Sequence, residues 1–171
     1  SSLALQYKNG RIIELFDDAK EYGSILKVGD IALEKVEEEF RSFESREALF
    51  YGEEKKLIKT LIKQAKIMSQ KYDVTVTNPP YMGSKGFSDD LKKYIEKNFK
   101  DSKADMFAVF IERCIQMTKK SKYISLVTMN SWMFLSSFET LRKNMIDTQS
   151  FGSILHLGME AFEGIIANVF Y

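Results

Sequence analysis

Two adjacent prolines, the only ones in the chain, constrain the fold more than any other feature of the sequence. They follow a β-branched run, Tyr72–Thr77, in the order Asn78-Pro79-Pro80-Tyr81. Such a run is typical of a buried strand in a parallel sheet, and proline cannot continue that strand. Because each proline fixes φ at about −65° and holds the residue before it in extended geometry, we expect a stiff loop at the carboxyl end of the strand.

The pattern after this loop alternates between helix and strand. The predicted elements are a helix capped by Ser88 and running through Lys97, a helix from Asp105 to Lys120, a strand at 123–128, a helix at 138–145, a strand at 153–157 and a final apolar run at 165–171. This alternation predicts an α/β fold, in which a mostly parallel sheet carries helices on both faces.

The first 70 residues are mainly helical by their pattern. A short strand is predicted at 2–6, and a helix follows from Ile12 until Gly23 ends it. An acidic amphipathic stretch, 30–54, precedes a basic one at 55–71, whose predicted apolar face is formed by Leu57, Leu61, Ala65 and Met68. We expect the two charge runs to be solvated faces that balance each other.

We therefore divide the chain into a mainly helical segment, 1–70, and a portion that carries the motif, 71–171. The length of 171 residues suits one structural domain overall. The net charge of +1 gives no global field toward a polyanion or a membrane. One cysteine and one histidine exclude an internal disulfide and a Cys/His zinc site within the chain, so we expect no metal, a reducing cytoplasmic setting and, without a long apolar run, no membrane partner.

The loop itself presents hydrogen-bond acceptors. Neither proline has an N–H group, so the loop offers the side-chain oxygen of Asn78 and the carbonyl of Pro79, beside the aromatic face of Tyr81. Two acceptors beside a stacking ring suit a planar amine with two hydrogens, such as N6 of a flipped-out adenine. Acceptors on both hydrogens favour the pyramidal amine and aim its lone pair outward, which stabilises the transition state of methyl transfer.

The motif strand and loop, residues 73–83, resemble the catalytic motif of S-adenosylmethionine-dependent adenine-N6 DNA methyltransferases. Residues 105–114, 123–134 and 154–158 are similar to the methylases of bacteriophage-exclusion (BREX) systems and of type IIG restriction-modification enzymes. The likeness covers 71–171 well and 16–28 more faintly. It implies a Rossmann-like, three-layer αβα methyltransferase fold, of which this chain is the carboxyl-side portion with a helical amino-terminal segment.

The resemblance also implies roles for single residues. Asn78, Pro79, Pro80 and Tyr81 form the catalytic loop, and Tyr81 also binds the base. Asn78 lies beside the cofactor, and Asp105 and Phe107 lie near its pocket at the start of the following helix. Lys85 and Trp132 are candidates for contact with the DNA substrate, although core packing is at least as good an account of Trp132.

The sequence also departs from that family. Its members bind S-adenosylmethionine with a glycine-rich turn and an acidic residue upstream of the motif, but the glycines before Asn78 are isolated: Gly10, Gly23, Gly29 and Gly52. We therefore expect a fragment truncated at both ends, incomplete and inactive by itself, with weak or absent affinity for S-adenosylmethionine. Its expected partners are double-stranded DNA, the remainder of the parent methyltransferase and other defence-system subunits.

Several lysines follow the motif where a DNA backbone could pass, and phosphate contact is a hypothesis for them: Lys85, Lys92, Lys93, Lys97, Lys100 and Lys103. Nearby acids dilute this charge. His156 is interpreted as a hydrogen-bonded core histidine, and Cys114 as an inert buried thiol.

Two alternatives to a DNA methyltransferase remain open. The same loop serves methylases that act on a glutamine side-chain amide or on an exocyclic amine of RNA, because each presents a planar NH2 group. A non-catalytic DNA-binding or scaffold module would keep the loop without turnover. Adenine methylation of DNA by the intact parent enzyme, and its loss on Asn78→Ala substitution, would separate these readings.

Overall fold

A computed structural model gives the structure of the chain, and it describes residues 11–29, 31–46, 52–158 and 169–170. The chain divides into two compact units, Ser1–Gln70 and Lys71–Tyr171. The strand predicted at 2–6 lies outside the described residues. That the chain forms one structural domain overall stays a prediction.

The first unit contains helices and no strand within its described residues. Its elements are α1 (Arg11–Leu15), α2 (Ala19–Tyr22), a 3₁₀ turn (Gly23–Ile25), α3 (Leu33–Arg46) and α4 (Gly52–Ser69). The helix predicted from Ile12 is thus broken in two by a turn at 16–18. Gly23 ends α2, as predicted, with a φ of 52° that favours glycine.

The core of the first unit includes the facing sides of α3 and α4. Val36 and Phe40 of α3 belong to the same buried cluster as Ile58 and Ile62 of α4. The buried stripe of α4 is therefore displaced from the predicted one, and Leu57 is 57% exposed. Both stripes have helical spacing, so only the packing partner decides between them.

The charged faces of α3 and α4 meet in an ion pair. Lys66 Nζ lies 2.6 Å from the carboxylate of Glu37, and both side chains keep contact with solvent. This pair supports the expectation that the acidic and basic runs are solvated faces that balance each other.

The second unit mixes helices and strands. Its elements are β1 (Tyr72–Thr77), a 3₁₀ turn (Ser84–Gly86), α5 (Asp89–Asn98), α6 (Met106–Met117), β2 (Thr118–Leu126), β3 (Thr128–Met129), 3₁₀ turns at Asn130–Met133 and Ser136–Phe138, α7 (Glu139–Thr148), β4 (His156–Gly158) and β5 (Val169–Phe170). Strand β1 has the predicted bounds, and the Ser88 side chain accepts a hydrogen bond from Leu91 N at the start of α5.

Strands β1 and β2 pair in parallel, with Val74 opposite Tyr123 and Thr77 opposite Leu126. The other described strands form a small antiparallel sheet in the order β3, β5, β4. The mixture of helices and strands and the parallel pairing confirm the coarser part of the predicted α/β fold.

The helix predicted from Asp105 to Lys120 ends earlier, at Met117, and its last predicted residues belong to β2. The Thr118 hydroxyl donates to the Cys114 carbonyl over 2.8 Å, which closes the last turn of α6. The side chains of Lys119 and Lys122 then reach Asp73 on β1, at 2.8 Å and 3.2 Å. These cross-strand ion pairs are non-local and are invisible to a helical pattern.

One face of β1 is exposed, so the prediction of a fully buried strand is wrong. Val74 and Val76 are 56% and 65% exposed, and Tyr123 beside them on β2 is 74% exposed. Thr75 and Thr77 point to the other face and are partly buried. Within the described part of the chain, β1 packs against α6.

The core of the second unit lies between α6 and α7. Phe107 and Ile111 of α6 cluster with Trp132, Leu141 and Met145. No helix in the described part of the chain is long and apolar enough to span a bilayer.

His156 begins β4 and is exposed, so its interpretation as a core histidine is wrong. An apolar neighbourhood in the sequence does not ensure burial, because Leu155 and Leu157 beside it are also exposed, at 55% and 39%.

Candidate active site

The carboxyl ends of β1 and β2 meet at one edge of the parallel sheet. The backbone N–H of Val127 donates to the carbonyl of Thr77 over 3.2 Å. Asn78 therefore begins the motif loop, residues 78–81, directly beside the end of β2. Ligands of open α/β sheets bind beyond the carboxyl ends of the strands. The motif loop therefore lies where a ligand of this sheet is expected to bind.

The residues of the motif loop differ in exposure. The side chain of Asn78 is exposed, Pro79 is buried, Pro80 is exposed and Tyr81 is partly buried. Within the described residues the Pro79 carbonyl accepts no hydrogen bond. The buried ring of Pro79 thus anchors a loop whose asparagine amide faces solvent.

The Tyr81 hydroxyl lies between two acceptors. Its oxygen is 3.3 Å from Asn78 Oδ1 and 3.4 Å from the Val127 carbonyl. A phenol has one hydrogen to donate, so it serves one of these oxygens at a time, and Asn78 Oδ1 keeps at least one free lone pair. Burial raises the pKa of Tyr81, which keeps its hydroxyl protonated and able to donate.

Backbone hydrogen bonds join the residues directly after the motif loop to the start of α6. Met106 N donates to the Met82 carbonyl over 2.9 Å, and Ser84 N donates to the Ala104 carbonyl over 3.0 Å. Gly83 and Asp105 form an antiparallel bridge between these two bonds. The loop and the first turn of α6 therefore form one connected piece of backbone.

Asp105 caps α6. Its carboxylate accepts a hydrogen bond from Phe107 N over 3.3 Å. Burial raises the pKa of the Asp105 carboxyl, and hydrogen bonds from the backbone N–H groups of Phe107, Met82 and Met106 oppose that rise. The capping contact explains this residue locally, and its predicted role near the cofactor stays a prediction.

Two other predicted site residues lie in the core. Phe107 is 1% exposed, with its ring 5.6 Å from that of Phe138. Trp132 is 8% exposed, donates its indole N–H to Thr128 Oγ1 over 3.3 Å, and stacks on Phe151 with 6.3 Å between ring centroids. Phe107 and Trp132 belong to the buried cluster against which Tyr81 packs. Direct contact with cofactor or substrate stays a prediction for both.

The described glycines before the motif lie singly, in separate segments of the first unit. Gly23 ends α2, Gly29 has a φ of 67° before α3, and Gly52 begins α4, so these three form no glycine-rich turn. Asp105 and Phe107 are committed to capping and to the core. Within the described part of the chain, no group of three or more His, Cys, Asp or Glu residues could hold a metal ion.

The lysines that follow the motif are not equivalent. Lys85 is exposed in the 3₁₀ turn after the loop. Lys93 pairs with Asp90 over 3.1 Å on the surface of α5. Lys92 and Lys103 instead line a cavity that Ser84, three positions after Tyr81, also lines. The structure thus distinguishes Lys92 and Lys103 from the other lysines that follow the motif.

Sequence reasoning missed the contribution of Arg142. Its Nη1 donates to the carbonyls of Trp132 and Leu135, at 2.7 Å and 2.6 Å. These bonds hold the segment that follows β3. A single arginine in a helix gives no sequence signal for such a contact, because the acceptors are backbone carbonyls of a preceding turn, 10 and 7 positions earlier.

The chain is similar to known methylases and methyltransferases. Residues 2–162 of the chain match the Eco57I restriction-modification methylase family. The adenine-specific methyltransferase BrxX of Escherichia coli O9:H4 (strain HS) is 38% identical over 162 residues, which are 93% of this chain and 13% of that protein. The adenine-specific methyltransferase PglX of Lacticaseibacillus casei (strain Zhang) is 43% identical over 108 residues, 63% of this chain and 9% of its own length.

The chain thus spans a small part of the length of the curated relatives that it matches. The family match covers the motif loop, the start of α6 and the parallel strand pair, and it confirms the resemblance drawn from the sequence. The chain belongs to the Eco57I restriction-modification methylase family.

Proposed function

We propose that the full-length gene product that contains this chain is an S-adenosylmethionine-dependent adenine-N6 DNA methyltransferase of a restriction-modification or phage-exclusion system, working in the cytoplasm. Residues 78–81 are its catalytic loop. The observation that carries this proposal is the exposed Asn78 amide beside an unengaged Pro79 carbonyl, at the carboxyl edge of a parallel strand pair. Family membership and the names of both relatives support it.

The two acceptors account for the choice of an adenine amine. The N6 lone pair of adenine is delocalised into the ring, so the nitrogen is a poor nucleophile. Hydrogen bonds from its two hydrogens to Asn78 Oδ1 and to the Pro79 carbonyl favour a pyramidal nitrogen with an available lone pair. Since these bonds strengthen as positive charge develops on nitrogen, they stabilise the transition state more than the ground state.

Tyr81 supplies the surface on which the flipped adenine lies. Stacking of a base on an aromatic ring contributes about 1–3 kcal/mol. The Tyr81 hydroxyl points at Asn78 Oδ1 and at the Val127 carbonyl in the structure. When the adenine N6 arrives, the hydroxyl can donate to Val127 alone, which leaves both lone pairs of Asn78 Oδ1 for the substrate.

Other segments of the gene product complete the fold in this proposal. The methyl donor binds chiefly to residues outside those described, since the described glycines before the motif lie singly and form no glycine-rich turn. The three-layer αβα arrangement, with 1–70 and 71–171 as parts of one domain, belongs to the complete protein. Asp105 and Phe107 then act by holding the first turn of α6 against the loop, and Lys85 and Trp132 contribute to the DNA-facing edge.

The test is methyl transfer by the full-length gene product and by its Asn78→Ala variant. Incorporation of labelled methyl groups into double-stranded DNA, followed by nucleoside analysis, should show N6-methyladenine for the wild type. We expect Asn78→Ala to lower kcat by about 10²–10³-fold, the usual effect of removing one transition-state hydrogen bond, with DNA affinity retained. Asn144→Ala is the matched control, because Asn144 is a surface asparagine whose amide donates to Asp101 in the structure.

Two results would contradict the proposal. An Asn78→Ala variant as active as the wild type would favour a loop without a catalytic role. Methylation of a glutamine-containing protein or of RNA, with no methyl transfer to DNA, would assign the loop to another amine substrate.

A further inference from the structure

A cavity of about 210 Å³ lies between the 3₁₀ turn that follows the motif loop, α5 and the turn before α6. Its lining residues include Ser84, Phe87 and three ionisable residues, Lys92, Glu96 and Lys103. Lys92 and Lys103 come from different segments, one from α5 and the other from the turn before α6. The fold thus brings together two lysines that are 11 positions apart in the sequence.

Two lining residues of this cavity are joined by a backbone hydrogen bond, and one of them lies shortly after the motif loop. The Ser84 N–H donates to the Ala104 carbonyl over 3.0 Å, and both residues line the cavity. Ser84 follows Tyr81 by three positions, and Met82 between them is bonded to the start of α6. A ligand in the cavity would therefore lie a few residues from the ring proposed to stack on the target base.

The two lysines of this cavity have no ion-pair partner among the described residues. Lys92 and Lys103 are exposed, and within the described residues neither ammonium group has an ion-pair or hydrogen-bond partner. Glu96 lines the same cavity and pairs with neither lysine, so the three groups leave one net positive charge. Lys93, one position from Lys92, is instead neutralised by Asp90.

We infer that this cavity binds a phosphodiester group of the DNA strand that carries the target adenine. This inference rests on the proposed function. Two ammonium groups and the Ser84 hydroxyl supply charged and neutral donors for phosphate oxygens, the contacts that fix the register of a protein on DNA. A base can rotate out of the duplex only about its own backbone, so a hold on a neighbouring phosphate positions the flipped adenine over Tyr81.

The salt dependence of DNA binding by the full-length gene product tests this site. The slope of log K against log salt concentration changes by about 0.9 for each phosphate contact that is lost. We expect a Lys92→Gln/Lys103→Gln variant to have a slope smaller by about 0.9, and weaker binding at low salt for every DNA sequence tested. Lys93→Gln is the matched control and should leave the slope unchanged. Lys92→Arg/Lys103→Arg keeps both charges and should retain the wild-type slope.

Single methylphosphonate substitutions in the DNA locate the contact. We expect one neutralised phosphate close to the target adenine to weaken binding of the wild type, but to have no further effect on the Lys92→Gln/Lys103→Gln variant. Equal sensitivity of wild type and variant to every phosphate would overturn the inference, as would an unchanged salt slope. Thermal unfolding of both proteins checks that the substitutions leave the fold intact.

The outcomes distinguish this inference from the proposed function. If the lysine variant behaves as the wild type while Asn78→Ala abolishes adenine methylation, the phosphate site is wrong and the function stands. If the gene product methylates no DNA in any variant, the proposed function itself has failed.

Discussion

The phenol oxygen of Tyr81 lies 3.3 Å from Oδ1 of Asn78, three residues before it in the same loop. Without a substrate, the loop thus partly satisfies the acceptor that its proposed chemistry needs. The distance is long for an O–H···O hydrogen bond, so the contact is easily exchanged for a better donor. The amide of Asn78 stays at the surface.

This relationship predicts different effects for two substitutions of Tyr81. Tyr81→Phe removes the hydroxyl and keeps the ring, so we expect methylation by the full-length gene product to stay within a fewfold of wild type. Tyr81→Ala removes the stacking surface, and KM for DNA should rise by the equivalent of about 1–3 kcal/mol, roughly 5–150-fold. Steady-state kinetics measures both.

A substrate with the target adenine opposite an abasic site provides the control for Tyr81. Flipping costs less in that DNA, so it isolates the stacking term. If Tyr81→Phe is as impaired as Tyr81→Ala, the hydroxyl rather than the ring carries the function.

The Asp105 carboxyl predicts a pH-dependent stability. Its pKa is raised by burial, so the folded chain binds this proton more tightly than the unfolded chain. Stability from this group is therefore lost as pH rises through the folded pKa, the reverse of a salt-bridged carboxylate. Asp105→Asn keeps an oxygen for Phe107 N and has no such titration. We expect its stability relative to wild type to increase as pH rises above about 4, the ordinary pKa of the carboxyl in the unfolded chain.

Urea unfolding of wild type, Asp105→Asn and Asp105→Ala over that pH range checks this prediction. The alanine variant loses the helix cap and should be less stable by about 1 kcal/mol. A difference between Asn and Asp that does not change with pH would show that the carboxyl is not perturbed.

We expect substitution of Arg142 to lower the free energy of unfolding, and we predict no effect on methyl transfer. Arg142→Met removes a charged donor shared by the carbonyls of Trp132 and Leu135. Hydrogen bonds to charged groups contribute about 1.5–3 kcal/mol, so we expect a loss of that order in the free energy of unfolding.

Lys143→Met on the same helix is the control for Arg142. Lys143 pairs only with the exposed Glu139, four residues earlier, and such pairs contribute about 0.3–0.5 kcal/mol. Denaturant unfolding should separate the two variants clearly, and equal losses would mean that the arginine contacts do not hold the turn.

Cys114 predicts a slow thiol reaction. Burial raises the pKa of this thiol to about 11, so about one molecule in a thousand carries the thiolate at pH 8. Cys114 is the chain's only cysteine, so a disulfide reagent reports on it alone. We expect labelling to be slow in buffer and fast in urea. Rapid labelling of the folded chain would contradict its burial.

Local patterns predicted the elements whose signals are local. The run before Asn78 gave the bounds of β1, and Ser88 gave the start of α5, because β-branching and capping act within a few residues. The end of α6 was mispredicted because Thr118, directly after that helix, pairs with Tyr72 of β1, 46 positions earlier in the chain. The exposed side of β1 was also missed, since a run of Val and Thr has the same appearance whether one face is covered or both.

The candidate site divides in the same way. The prolines predicted a rigid loop with free acceptors, and the structure places that loop at a strand end. The contact between the Tyr81 hydroxyl and the Val127 carbonyl joins positions 46 apart, and the bonds from Arg142 and the convergence of Lys92 and Lys103 join different elements. A single sequence contains no signal for these, because their partners are defined only by the fold.

The uncovered side of β1 has a practical consequence for work on the chain by itself. The exposed side chains of Val74, Val76 and Tyr123 form an apolar surface on the paired strands β1 and β2, and such a surface favours aggregation at high concentration. Replacing Val76, the more exposed of the two valines, with lysine should improve recovery from expression without touching the motif loop's acceptors. Dynamic light scattering of the two proteins at matched concentrations would show whether that one side chain governs solubility.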